Sequence, residues 1–217
     1  MPRYVITFSK KGFIKYTSHL DMIRLFKRAF NRSGIFLEYS EGFNPHPKMS
    51  FAQPLSLGYT ASGELLEFDT KDVFDAGEIK IKMNSNMPGD IRILDCVQIE
   101  KDKKSLAAKC CAAEYRIIIP YCGELPDTVE KDFLAQDNIP VMKKAGKRKE
   151  EKEIDIRKMI RSFNITAKNN NIILSTILDA GSNSNLSPEL LIRSFLDFAG
   201  IEADREDIEV HRSQIFM

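Results

Sequence analysis

Three histidines, His19, His46 and His211, are the chain's candidates for acid–base work near neutral pH. The run Ser18-His19-Leu20-Asp21 holds the residue types of a serine triad. Residues this close at a helix start cannot form the relay in which serine bonds histidine and histidine bonds the acid. They fit a capping box better, with Ser18 accepting from the third amide beyond it and Asp21 placed where the helix dipole favours negative charge. His19 then falls at the first helical position, free to meet a ligand. Nothing in the spacing brings His19, His46 and His211 together as metal ligands.

The second constellation is Tyr39-Ser-Glu-Gly-Phe-Asn-Pro-His-Pro-Lys-Met-Ser-Phe51. Two prolines fix φ, remove backbone donors and push their preceding residues into extended geometry. The spacing predicts a stiff loop carrying aromatic and basic groups, which suits a binding site better than a core. Phe43 or Tyr39 could stack a nucleic-acid base, at about 1–3 kcal/mol per base. Lys48 could hold a phosphate, Asn44 could add a polar contact, and His46 could donate to a phosphate or act as acid or base. Phe51 reads as a core anchor, with Phe43 and His46 exposed.

Arg24, Arg28, Asn31 and Arg32 share one face of the intervening helix at spacings of three and four, with Lys27 at its edge. Such a stripe can neutralise phosphates. Net charge over the 217 residues is +1, but residues 1–60 hold nine Lys/Arg against three Asp/Glu, a balance of +6. Residues 61–217 carry the offsetting −5. A basic first quarter on a near-neutral chain points to an anionic partner met by one face, although solvated lysines would give the same count.

The elements that must position these groups follow from hydrophobic period. Arg3–Phe8 alternates as a strand, with Tyr4, Ile6 and Phe8 on one face. Ser18–Ser33 is an amphipathic helix with Met22, Ile23, Phe26, Ala29 and Phe30 as its apolar face and Gly34 as its stop. Strands at Ile35–Tyr39 and Leu65–Asp69, a helix at Asp75–Asn86 and a strand at Ile91–Ile99 complete a β-α-β-β-α-β order, the ferredoxin-like pattern. Glu100–Cys111 is charged and lacks an apolar period, so it reads as a linker. The pattern then restarts with a strand at Tyr115–Pro120, a helix face of Leu125, Val129 and Phe133, and a short strand at Ile139–Met142. Lys143–Glu153 reads as a hairpin tip or mobile loop, and Asp155–Ile165 is ambiguous. A strand at Ile172–Leu178, a helix opened by Ser187-Pro188-Glu189 and ended at Gly200, and a strand at Ile208–His211 close the series. The expected fold class is α+β: two ferredoxin-like domains in tandem, at 1–105 and 112–217.

Composition narrows the class. At 43% hydrophobic residues the chain can build packed cores. No apolar run approaches the roughly 20 residues that cross a bilayer, and Met-Pro-Arg-Tyr-Val-Ile-Thr-Phe lacks a signal peptide's apolar centre, so a cytoplasmic protein without membrane contact is expected. Cysteines at 96, 110, 111 and 122 fit neither a disulfide framework nor a zinc pattern. Walker A, dinucleotide-binding and His-Glu-x-x-His signatures are absent, as is the RNA-recognition aromatic signature. No metal and no cofactor is expected.

Phe8-Ser-Lys-Lys-Gly-Phe-Ile-Lys-Tyr-Thr-Ser-His-Leu-Asp21 together with the 39–51 run resembles the radical-SAM-linked protein family, a domain of unknown function found beside or fused to a B12-binding radical SAM protein. Glu153-Ile-Asp-Ile-Arg157 and Val210-His-Arg212 resemble that family's second half. The resemblance implies a radical SAM partner more than an activity. The chain has no Cys-x3-Cys-x2-Cys to hold that partner's iron–sulfur cluster.

The expectation is an accessory protein rather than an enzyme, binding RNA or another anionic substrate through Arg24, Arg28, Phe43, Asn44, His46 and Lys48. The alternatives are a metal-independent RNA-processing or modifying enzyme using His46 with His19 or His211, and a protein–protein adaptor docked through the loop.

Overall fold

The computed structural model describes residues 1–100, 102, 104–145 and 150–217. The chain is mixed α+β, built on antiparallel strand pairing with few helices. It divides into two compact units: Met1–Cys110 with Arg212–Met217, and Cys111–His211.

The first unit runs β1 (Arg3–Lys10), α1 (His19–Arg32), β2 (Met49–Phe51), β3 (Thr60–Asp69), α2 (Ala76–Asn86), β4 (Ile91–Ile99) and the short α3 (Leu106–Lys109). β1 pairs antiparallel with β3, Arg3 opposite Asp69, and with β4, Arg3 opposite Ile99. β2 pairs antiparallel with β3, which gives the order β4-β1-β3-β2. Alternation along β1 sends Tyr4, Ile6 and Phe8 into the core, where Met22, Phe26, Ala29 and Phe30 of α1 meet them. Leu66 and Phe68 of β3, Ile79 and Met83 of α2, and Ile91 and Ile93 of β4 complete it. Each large side chain buried here contributes about 1.5–3 kcal/mol. The inner face of α1 differs from its sequence reading at one point: Leu25 packs against the core, while Ile23 is only half-buried.

The expected strand at Ile35–Tyr39 is not a strand. Leu37 and Tyr39 make single bridges to Thr70 and Pro47, and the ladder to β3 is formed by Met49–Phe51 instead. The chain leaves α1 through Gly34 at φ 69°. Pro45 and Pro47 offer no donors, so regular pairing resumes only beyond them. Glu100–Cys111, read as a linker, carries α3, whose first amide, on Leu106, donates to Glu67 Oε2 at 3.3 Å. Residues 101 and 103 of that stretch lie outside the described ones.

The second unit runs β5 (Ala112–Pro120), α4 (Val129–Leu134), β6 (Pro140–Ala145), β7 (Glu150–Asp155), β8 (Ile160–Lys168), β9 (Asn171–Asp179), α5 (Pro188–Ala199) and the opening of β10 (Glu209–Phe216). β5 pairs antiparallel with β9, and β9 with β8. Phe133 of α4, Phe163 of β8 and Phe195 of α5 pack with ring centroids 5.1–5.7 Å apart. α5 has the caps its sequence announces: Ser187 accepts from the Glu189 amide, Pro188 opens the helix and Gly200 closes it at φ 64°.

The short strand at Ile139–Met142 belongs elsewhere than expected. β6 pairs only with β7 in a separate two-stranded hairpin, and β8, from the ambiguous 155–165 region, takes the place beside β9. Val141 and Ile154 face each other in the hairpin and are only half-buried, whereas β8 brings buried Ile160 and Phe163. Residues 146–149, within the stretch expected to be a hairpin tip or mobile loop, lie outside the described residues.

Candidate functional site

Ser18 holds the start of α1. Its Oγ accepts from the Asp21 amide at 3.2 Å and donates to Asp21 Oδ2 at 2.7 Å. Arg24 donates to the other Asp21 oxygen at 2.8 Å. The Ser18 bond and then the Arg24 bond hold the Asp21 carboxyl below its ordinary value. The His19 ring meets Phe51 edge-on at 5.4 Å. Ser18, His19 and Asp21 therefore form a cap and not a relay.

The outer face of α1 presents Arg24, Arg28, Asn31 and Arg32 to solvent. An open cleft of about 410 Å³ collects Arg24, Arg28 and Arg32 with Thr17, Asp21, Leu25 and Pro88. Arg32 is committed to the Asn86 carbonyl at 2.7 Å, at the C-terminal end of α2. Among the described residues Arg28 makes no ion pair, which leaves its guanidinium available to the cleft.

Backbone bonds hold the 39–51 loop. The Ser40 amide donates to the His46 carbonyl at 2.8 Å, and the His46 amide donates to Ser40 Oγ at 3.0 Å. Glu38, Lys48 and Asp69 are tied in a backbone triangle: Glu38 donates to Asp69, Lys48 to Glu38, and Asp69 to Lys48, at 2.7–2.9 Å. Gly42, at φ 117°, supplies a left-handed turn that a side chain would strain. The turn throws Phe43 fully into solvent, with Asn44 and His46 also exposed.

Tyr39 is half-buried against the core, with Lys27 Nζ 5.5 Å from its ring centre. Phe51 packs against Phe8 and Phe26 at 5.9 and 5.4 Å. Of the loop's aromatics, Phe43 is therefore the one placed to stack a ligand. Lys48 lies 3.9 Å from Glu38, so part of its charge is offset. The cleft brings Arg24 and Arg28 together, and the loop groups Phe43, Asn44 and His46. His211 belongs to the second unit and is half-buried.

Sequence reasoning passed over a buried ionic group. Lys10, at the end of β1, is 2% exposed and reaches the Lys15 and Thr17 carbonyls at 3.3 and 3.4 Å. Glu64 of β3 is 3% exposed and accepts two bonds from Arg212, itself 2% exposed. Arg212 also donates to the Gln53 carbonyl at 2.8 Å. A pocket of about 20 Å³, room for roughly one water molecule, is lined by Lys10, Thr17, His19, Phe51 and Glu64 among others. A lysine closing a strand normally reads as a solvated end. The available signal was Gly63: a Cβ there would lie 2.6 Å from the Ser213 carbonyl, so β10 and β3 run in close contact at this point.

Among the described residues, no cluster of His, Cys, Asp and Glu could hold a metal ion. The four cysteines are free thiols. No helix among the described residues is long and apolar enough to cross a membrane.

Residues 3–188 match the family described as "Uncharacterized protein conserved in bacteria (DUF2344)", and the chain belongs to that family. No curated protein matches it significantly. Among solved structures it is similar to a chain of a Cbf5-Nop10-Gar1 complex, at 10% identity and a TM-score of 0.55, over 98% of this chain and 48% of that one. It is also similar to a chain of the archaeal box H/ACA sRNP Nop10-Cbf5 complex, at 11% identity and a TM-score of 0.50, over 96% and 46%. The chain thus spans less than half the length of each. At such identities the likeness concerns the fold.

Proposed function

We propose that this protein is an accessory subunit that binds RNA or another anionic substrate on its first unit and acts with a radical SAM partner in the cytoplasm. The observation that carries the reading is the cleft on α1. Arg24 and Arg28 line it together, and Arg28 makes no close ion pair among the described residues, its charge reaching Asp21 at longer range. Phosphates neutralised there would supply sequence-independent affinity. Phe43, with Asn44 and His46 on the same rigid loop, would add a stacking platform and polar contacts. Lys48 would contribute less, because Glu38 shares its charge.

The radical SAM partner rests on the resemblance of the 8–21 and 39–51 runs. The β-α-β-β-α-β succession with the order β4-β1-β3-β2 supports a ferredoxin-like first unit, and the return of the same element types supports a second. One fold neighbour comes from a box H/ACA sRNP, which agrees with an RNA ligand but does not establish one.

Fluorescence anisotropy with short RNAs at two salt concentrations tests the proposal. Binding that weakens with salt and falls in Arg28→Ala and His46→Ala is expected. Absence of binding, or binding untouched by both substitutions, overturns it.

A further inference from the structure

A second pocket lies beneath the first turn of α1, meeting the arginine cleft at Thr17, and its interest rests on where charges are buried. The Arg212 guanidinium takes both Glu64 oxygens, Nε to Oε1 at 2.7 Å and Nη2 to Oε2 at 2.5 Å. That fork satisfies the one carboxylate in the pocket wall. Lys10 lines the same pocket and, among the described residues, makes no ion pair. Its ammonium meets only two long carbonyl contacts, which leave a donor unused. Both Glu64 oxygens are thus taken by Arg212, and the buried Lys10 ammonium is left with carbonyl contacts.

An uncompensated buried charge is costly unless a partner meets it or the group gives up its proton. Burial does draw the Lys10 ammonium below its ordinary value, with Glu64 opposing and Arg212 adding to the fall. The pocket admits roughly one oxygen-sized atom, and its rim carries His19 and Thr17 at the positive end of the α1 dipole. Asp21, the acid of that turn, is held by Ser18 and Arg24 and does not line the pocket.

We propose that this pocket seats a single anionic oxygen, from a phosphate or a carboxylate group, on Lys10, with His19 at the rim contacting the rest of the ligand. The ligand is a small oxyanion or the anionic end of a larger molecule. The site goes beyond the RNA reading and stands if that reading fails.

Titration calorimetry of the full chain with inorganic phosphate, and separately with acetate, tests it. One-site saturable binding of at least one probe is expected, and the stronger probe identifies the chemistry. Lys10→Met should weaken it by about tenfold or more, the scale of one hydrogen bond to a charged group. Arg193→Ala, on α5 of the second unit, should leave it unchanged. A short RNA that displaces the bound probe marks nucleic acid as the source of the oxyanion, and an RNA that does not marks a free small molecule. Should Lys10→Met fail to fold, His19→Ala at the exposed rim serves instead and should weaken binding severalfold. Saturable binding by neither probe, or wild-type binding in the folded variant, overturns the proposal.

Discussion

Arg212 and Glu64 stand 148 residues apart in sequence and form a two-pronged ion pair with side chains 2% and 4% exposed. A buried pair of this kind adds little net stability compared with apolar residues of the same shape, but its rupture is expensive. Glu64→Gln is expected to destabilise the chain by about 3–5 kcal/mol, because it removes the carboxylate charge that meets both prongs of the buried Arg212 guanidinium. Joint Glu64→Leu and Arg212→Met should recover most of that loss. Urea unfolding followed by circular dichroism measures both, and a single-variant loss under about 1 kcal/mol would show that water reaches the pair.

Salt dependence of RNA binding should separate two exposed arginines of the cleft. Each removed phosphate contact lowers the slope of log affinity against log salt by about 1. Arg28→Ala should produce that drop in full. Arg24→Ala should produce less, since Arg24 already neutralises Asp21 at 2.8 Å. Anisotropy titrations from about 50 to 200 mM salt supply the slopes. Equal losses would mean that the Asp21 pair opens freely on binding.

Asp155 explains part of the Glu153–Arg157 run. Its Oδ1 accepts from the Ile139 and Arg157 amides, both at 2.9 Å, and so ties the base of the β6–β7 hairpin. The Ile139 bond first, then the Arg157 bond, holds its carboxyl below the ordinary aspartate value. A depressed folded-state value means that the stabilisation is complete above the unfolded-state pKa and disappears as pH falls through the folded value. Asp155→Ala should cost about 1–2 kcal/mol near neutral pH. Thermal unfolding of wild type and variant should converge at acid pH, and a gap independent of pH would refute the assignment.

Cys96 should be the least reactive thiol of the four. Burial, and then the Asp95 and Asp75 charges, push its thiol up to about 12. At pH 8 almost no thiolate exists there to attack a disulfide reagent. Exposed Cys122 should label first under native conditions, with Cys96 labelling only after denaturation. Mass spectrometry of the labelled chain distinguishes the sites, and early modification of Cys96 would contradict its burial.

Ser18→Ala removes the cap of α1 and should cost about 1 kcal/mol, while Ser18→Thr restores most of it. Chemical denaturation reads this directly. A neutral Ser18→Ala would mean that another group satisfies the Asp21 amide.

Local chemistry made some features legible in the sequence and hid others. The Ser18 and Ser187 caps, the buried face of α1 and the exposure of Phe43 and His46 depend on neighbours within a few positions, which period and turn chemistry describe. Met49–Phe51 was hidden because the prolines that stiffen the loop also shift where pairing resumes. β8 was hidden because its buried Phe163 packs against Phe133 of α4 and Phe195 of α5, partners about 30 residues away on either side that no local period reveals.

The sequence by itself determined the α+β class, the basic character of the first quarter, the capped helix and the rigid aromatic loop. Only the tertiary structure decided that Lys27 covers Tyr39, that Glu38 shares the charge of Lys48, and that Lys10, Glu64 and Arg212 are buried as a group. The physical reason is that the energy of a charged side chain is set by its desolvation and its partners. For Arg212 the partner lies 148 residues away, where no local pattern reaches.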